Sequence, residues 1–336
     1  MKKLQNNLYI TKQGAYLHKE RDTLVIEHEQ QVIKKMPIHP IGGIFCFGNI
    51  LVSPFIYKFC SDNNVHLSFY SENGEYFGRM CGKQSGNILL RRAQYHVSEK
   101  NPLKIAQNIV AAKITSSRAT LQRHLRNNGT DNEIDYVVKI LRGNIQSLES
   151  ANNLEKVRGI EGESASRYFS VFSRLILNKE FNFNGRNRRP PRDPVNAMLS
   201  FVYSIFTRDI SAALQGVGLD PQAGFLHADR SGRDSLALDI LEEFRSWLLD
   251  RIVLSLINRK QLKVTDFVLE SSGAVIMKDD LRKLLLSTLN QRKQETIFHP
   301  YFEEEITIGL LPHAQALLLS RHLRGDIEEY PPFIAR

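Results

Sequence analysis

The chain has 336 residues, 42% of them hydrophobic, which suffices for a large core and, since single cores stop growing near about 250–300 residues, for two domains. Its 45 Lys and Arg against 36 Asp and Glu leave a net charge of +9, which favours a polyanionic partner such as nucleic acid over an acidic small substrate. Three cysteines, Cys46, Cys60 and Cys81, odd in number and without CxxC spacing, argue against a zinc site or a disulfide framework and point to a reducing cytoplasm.

The N-terminal MKKLQNNLYI is basic but precedes no apolar run of the kind a signal peptide needs. From Leu8 to about Gly82 the pattern predicts short strands: LYITKQGAYLHKE, TLVIEHEQQVIKKM, the run from Ile41 to Val52, and VHLSFYSENGEYFGRM, turned at Asn73-Gly74. A short helix beginning at Pro54 is expected between the last two. KQSGN at 83–87 supplies turn residues where the texture becomes helical, so the expected division is a β domain over 1–82, a linker over 83–88 and a helical domain over 89–336. Within the latter, helices are expected over Leu90–Val97 and Leu103–Leu125, the second closed by Gly129. Asp193 and Pro194 form an N-cap and first-turn pair opening a helix through Gln215 that is apolar around most of its circumference. Its most apolar part, Met198 to Phe206, is far short of the roughly 20 residues a bilayer requires, so a soluble, cytoplasmic protein with no membrane partner is expected. A helix from Leu236 to Asn258, a hairpin between Val264 and Met277 and a helix capped by Asp279 complete the expectation. The fold class is α+β, a small N-terminal β-rich domain followed by a larger all-α domain.

Three stretches carry candidate chemistry. In GIEGESA, residues 159–165, a carboxylate stands between two glycines; placed just before a helix it is a charged cap, or a site that something large can approach. In HADRSGRDSLALDILEEFR, residues 227–245, helical spacing puts Asp239, Glu242 and Glu243 near one face. That face is a solvated acidic surface or, with His227, a set of divalent-metal ligands. NGRNRRPPRDP, residues 184–194, holds Arg186, Arg188, Arg189 and Arg192 on a proline-stiffened loop, a solvated basic loop or a phosphate grip. From Arg79 to Arg126 ten Lys or Arg, among them Arg91, Arg92 and Lys113, face the single acid Glu99, which predicts a surface that tracks a duplex backbone.

Four of these motifs in order, GIEG before Tyr168-Phe169, RRPPRDPVNAMLSF, GFLHADR and LALDILEEFR, resemble the CRISPR-associated integrase-endonuclease, the first-numbered family of Cas proteins. YPPF at 330–333 is similar to members from type I-C systems. The resemblance implies a β domain used for dimerisation and an α-helical catalytic domain, with Glu161, His227 and Glu242 as catalytic metal ligands for Mg²⁺ or Mn²⁺ and Asp239 or Glu243 sharing the third role. Double-stranded DNA is the implied substrate, gripped by Arg186, Arg188, Arg189, Arg91, Arg92 and Lys113. A homodimer in complex with the second-numbered Cas protein, and with the fourth-numbered Cas nuclease in this subtype, is the implied assembly. The implied reaction inserts short spacer DNA into a repeat array: a 3′-hydroxyl attacks a phosphodiester, with no covalent enzyme intermediate. Two rivals stand beside it: a structure-specific nuclease on branched DNA, and a non-catalytic DNA-binding scaffold.

Overall fold

The computed structural model describes residues 6–63, 65–72, 76–80 and 88–335. The Asn73-Gly74 turn, Cys81, Lys83 and most of the expected linker lie outside them. The chain divides into two compact units, Met1–Ser85 with Leu286–Glu295, and Gly86–Leu285 with Thr296–Arg336. The grouping of Leu286–Glu295 with the first unit differs from the single break expected near residue 83.

The first unit contains β1 (Asn6–Ile10), β2 (Tyr16–Glu20), β3 (Thr23–His28), β4 (Gln31–Pro37), β5 (Ile41–Phe47), β6 (Leu51–Val52), α1 (Pro54–Asp62), β7 (His66–Tyr70) and β8 (Tyr76–Arg79). One sheet has the order β1-β5-β7-β8, the other β4-β3-β2-β6. β2, β3 and β4 pair antiparallel as successive hairpins, whereas β1, β5 and β7 pair in parallel. Parallel neighbours require a crossover, and α1 supplies the one between β5 and β7. β5, with a parallel neighbour on each side, reads IGGIFCF and is buried at nearly every position. Leu8, Ile10, Leu17, Leu24, Ile26, Ile44, Ile56 and Phe59 form this unit's core together with the free thiols Cys46 and Cys60.

The second unit begins with α2 (Ile88–Lys100), α3 (Leu103–Asn128), α4 (Asn132–Glu149), α5 (Leu154–Ser170) and α6 (Pro194–Gly216). α3 stops where Gly129 takes φ +92°. Asp193 opens α6, its carboxylate accepting from Asn196 N at 2.8 Å, and α6 is buried along most of its length. α7 (Ser235–Leu241), a π-helical turn over Arg245–Asp250 and α8 (Arg251–Asn258) follow. The hairpin β9 (Phe267–Leu269) and β10 (Val275–Met277), α9 (Asp279–Gln294), the hairpin β11 (Thr296–His299) and β12 (Glu304–Thr307), and α10 (Leu311–Leu323) complete the fold. α10 and α7 pack on α6, while α4, α5 and the π-helical turn pack on α3. Among the described residues no helix is long and apolar enough to cross a membrane.

Three expectations are corrected. GIEG does not precede a helix: Asn153 caps α5 two turns upstream, accepting from Lys156 N at 2.9 Å, so Glu161 stands mid-helix. The helix expected over Leu236–Asn258 is interrupted, because Glu242, Glu243 and Phe244 donate to carbonyls three residues back and the π-helical turn then unwinds the next stretch. The common face expected for Asp239, Glu242 and Glu243 therefore does not exist. Finally, α3 is a central buried helix, and Lys113 lies inside the unit at 7% exposure. It is no part of a basic surface.

Candidate active site

Four elements converge on one point. α3 contributes Lys113, α5 Glu161, the loop after α6 His227, and the turn after α7 Glu242. The Lys113 ammonium hydrogen-bonds Glu161 Oε1 and lies 2.8 Å from Glu242 Oε2. Arg245 reaches Glu242 Oε1 at 3.1 Å, and His227 Nε2 is 4.0 Å from the same oxygen. Glu242 is 1% exposed. Burial alone would raise its pKa, but Arg245 and Lys113 hold it down at about 2.

Asp239 has a different task from the one shared ligation would give it. Oδ2 accepts from Phe225 N at 2.6 Å and Leu226 N at 3.0 Å, while Oδ1 accepts from His227 N at 2.9 Å and lies 2.7 Å from His227 Nδ1. One buried carboxylate thus gathers the GFLH loop and holds the imidazole. With Nδ1–H donated to Asp239, Nε2 keeps its lone pair on the side of Glu242. The loop wraps so tightly that a Cβ on Gly224 would stand 2.9 Å from Ser235 Cβ and 3.0 Å from Asp239 Oδ2, which is why glycine is needed there.

Glu243 is likewise diverted. Tyr330 OH donates to Oε1 at 2.6 Å, and Phe333 N and Gln315 Nε2 donate to Oε2 at 2.8 and 2.9 Å. Burial pushes its pKa up to about 8 against these donors. YPPF is therefore an anchor for the turn that carries Glu242, and Glu243 is not an additional acid of the cluster.

Beside Glu161 and Lys113 lies a cavity of about 780 Å³. Arg186, Arg188 and Arg245 contribute positive charge to its wall, Phe169 and Phe183 aromatic surface, and Ser166, Ser170 and Ser173 small polar groups. The arginine loop is organised by fully buried Asn196, which accepts from Arg186 Nη1 at 2.6 Å and Asn187 N at 3.1 Å and donates to Gly185 O at 2.9 Å. Burial lowers the Arg186 pKa to about 10. Arg189 is exposed outside the cavity, and Arg233 stands within electrostatic reach of Arg188, Arg189 and Arg230. Arg92 is exposed and Arg91 half-buried on α2.

Sequence reasoning missed the parts played by Lys113 and Asn196. Lys113 carried a signal: it is a lone charge in the apolar run IVAAKI. The donor set fits a divalent ion. Two carboxylates already converge on one cation, the Lys113 ammonium, and an imidazole nitrogen stands beside them, the mixed O and N ligation that Mn²⁺ or Mg²⁺ accepts. Among the described residues one set of three potential ligand atoms lies closer together, His18, Glu20 and Glu27 on β2 and β3. There Glu20 is paired with Lys35 at 2.6 Å and Glu27 with His18 at 3.0 Å, an ordinary cross-strand ion-pair patch.

A family model described as CRISPR associated protein Cas1 matches residues 8–291. The chain belongs to the Cas1 family. CRISPR-associated endonuclease Cas1 1 of Chlorobaculum tepidum is 48% identical over the whole of both chains. Two solved structures share the fold. A casposase bound to integration product has a TM-score of 0.85 at 23% identity, covering 97% of this chain and 93% of its own. The Cas6-RT-Cas1–Cas2 complex has a TM-score of 0.83 at 21% identity, covering 100% of this chain and 36% of that one.

Proposed function

We propose that this Cas1-family protein is a metal-dependent DNA integrase of CRISPR adaptation, which joins the 3′-hydroxyl ends of short DNA duplexes to a phosphodiester of a repeat array. The observation that most supports the reading is the convergence of Glu161 and Glu242 on one cation at the end of an arginine-lined cavity. Glu161, Glu242 and His227 would hold a divalent ion, Mn²⁺ or Mg²⁺, which supplies Lewis acidity toward the attacking hydroxyl and the phosphate under attack. Asp239 fixes the imidazole that completes the ligand set. Arg186, Arg188 and Arg245 bind the phosphates of the strand entering the cavity, where Phe169 offers a stacking surface for a base. Lys113 and Arg245 offset the carboxylate charge that would otherwise repel that strand. Two glycines, Gly159 and Gly162, leave open space around Glu161 on α5, which admits a close approach of DNA backbone.

In the same reading the N-terminal unit carries a homodimer contact, to which Val32 and Ile33 on β4, 47% and 53% exposed, offer apolar surface. Cas2, and the fourth-numbered Cas nuclease, complete the adaptation assembly. Arg91 and Arg92 on α2 and Arg189 on its loop extend the footprint on double-stranded DNA.

A strand-transfer assay tests the proposal: purified protein, Mn²⁺ or Mg²⁺, a labelled short duplex with free 3′-hydroxyls and a supercoiled plasmid carrying a repeat, with and without Cas2. Joined label is expected only with metal, and Glu161→Ala and His227→Ala are each expected to reduce joining by about 10³-fold or more. Cleavage without joining would favour the branched-DNA nuclease. Metal-independent binding without chemistry, unaffected by Glu161→Ala, would leave a scaffold.

A further inference from the structure

The elements that carry the candidate site meet again one layer deeper, at Asp250, 1% exposed on the π-helical turn. Tyr168, two turns along α5 from Glu161, donates its hydroxyl to Oδ2 at 2.9 Å, and Tyr203 from α6 donates to Oδ1. The Tyr203 ring lies under two cations, with the guanidinium carbon of Arg245 4.8 Å from its centroid and that of Arg186 at 5.4 Å. Both guanidiniums line the cavity, and Arg245 is also the partner of Glu242.

Two like charges so placed repel, and something must hold them. Arg188 and Arg245 each disfavour the charge on Arg186, whereas Asp250 and Tyr203 favour it. Among the described residues the Nε atoms of Arg186 and Arg245 are buried without a hydrogen-bond partner. Each is a buried N–H donor whose desolvation no acceptor among those residues offsets, which leaves the electron-rich face of the Tyr203 ring as the group beside it.

We propose that Tyr203, fixed by its hydroxyl on Asp250, is a positioning residue for DNA, whose ring sets Arg186 and Arg245 so that their forks meet the phosphates of the strand ending beside Glu161 and Glu242. The assignment rests on the integrase reading for the identity of that strand. The stack itself does not depend on it. Asp250 supplies a negative charge behind the ring, and the ring supplies its electron-rich face to both cations. Removing either leaves Arg186 held by Asn196 and Arg245 by Glu242, without the shared face that sets one against the other.

The test uses the full chain and two readouts. In protein labelled with ¹⁵N-arginine, the Nε–Hε resonances of Arg186 and Arg245, assigned through Arg186→Lys and Arg245→Lys, should carry the upfield shift of protons over an aromatic face and lose it in Tyr203→Leu. In EDTA, anisotropy titrations of a fluorescent single-stranded oligonucleotide across a salt series should show Tyr203→Leu binding about ten-fold more weakly, with a salt slope reduced by about one to two phosphate contacts. Tyr203→Phe keeps the ring but loses the anchor and should fall about three-fold, as should Asp250→Asn. A purely structural tyrosine would lower the melting temperature of these variants and leave the slope unchanged, which overturns the proposal. Wild-type resonances without the ring shift overturn it too. If Tyr203→Leu does not fold, Tyr203→Phe decides, since unchanged affinity and slope there remove the role of the Asp250 anchor. Should the integrase reading fail in the strand-transfer assay, the resonances and the slope still report whether Tyr203 sets the arginines.

Discussion

The two units bury different things. Among the described residues of β1 to β8 and α1, the buried polar side chains are Ser53 and Ser68, whereas the helical unit buries Lys113, Asp239, Glu242, Glu243, Arg245 and Asp250. The β unit is held by apolar transfer, which needs only that side chains fit. The helical unit sets against its own apolar core a group of charges whose desolvation costs several kcal/mol each unless partners offset it. A fold tolerates that burden only where the charges are held in place by one another, and here each carboxylate has its own solution. Glu242 is surrounded by cations and stays ionised. Glu243, next in the chain, is surrounded by neutral donors and is pushed toward its neutral form.

If that contrast is right, removing one partner in the helical unit should cost more than trimming the β core. The largest effect is expected for Lys113→Met, which leaves Glu161 and Glu242 facing each other without the cation between them. Losing one member of a buried pair costs about 3–5 kcal/mol, read as a lower melting temperature in EDTA. Millimolar Mn²⁺ should return most of the loss, because the ion takes the vacated position between the carboxylates. Equal stabilisation of both proteins by Mn²⁺ would count against a metal site there.

Next comes a pH effect at Asp250. Burial pushes its pKa up to about 6 from the ordinary 3.8, against the two tyrosine hydroxyls that donate to it. In the window between those values the folded chain holds the proton and the unfolded chain does not. Its contribution is therefore fully present below about pH 4 and is lost as pH rises through 6. A shift of that size is on the order of 3 kcal/mol. Relative to wild type, Asp250→Asn should gain about that much between pH 4 and 7 in urea melts, and parallel profiles would show that Asp250 is already ionised throughout.

The β unit supplies the control. Ile44→Val at a fully buried position of β5 should cost about 1 kcal/mol, as deletion of one core methyl group does, with strand transfer within two-fold of wild type. Its strands were legible because alternation and turn residues mark them, although the parallel pairing of β1, β5 and β7 was not, since partners far apart in the chain leave no local trace. In the helical unit, Asp193-Pro194 and Gly129 marked helix ends correctly for the same local reason. Glu161, His227 and Glu242, the ligands that the resemblance implies, are brought beside one another by the fold. The parts of Asp239, Glu243 and Lys113 were not legible, because each depends on what a distant segment brings: the GFLH amides, the C-terminal YPPF, and a carboxylate on α5. Helical spacing also misled at residues 242–250, where a short-range turn and a π-helical turn replace the regular period.

The smallest predicted effect separates stability from access. Gly162 stands in the interior of α5 on the same ridge as Ser166, which lines the cavity, and a Cβ placed on it meets nothing within 4 Å. An exposed helical glycine gives up roughly 0.5–1 kcal/mol relative to alanine, and no contact within the chain compensates. Gly162→Ala should therefore raise stability by about that amount in urea titrations. If the open face serves the approach of DNA to Glu161, the same variant should weaken oligonucleotide binding while melting higher, a pairing that a packing role for the glycine cannot produce. A stabilised variant with undiminished binding would mean that DNA reaches the carboxylate from the side of the arginine loop alone.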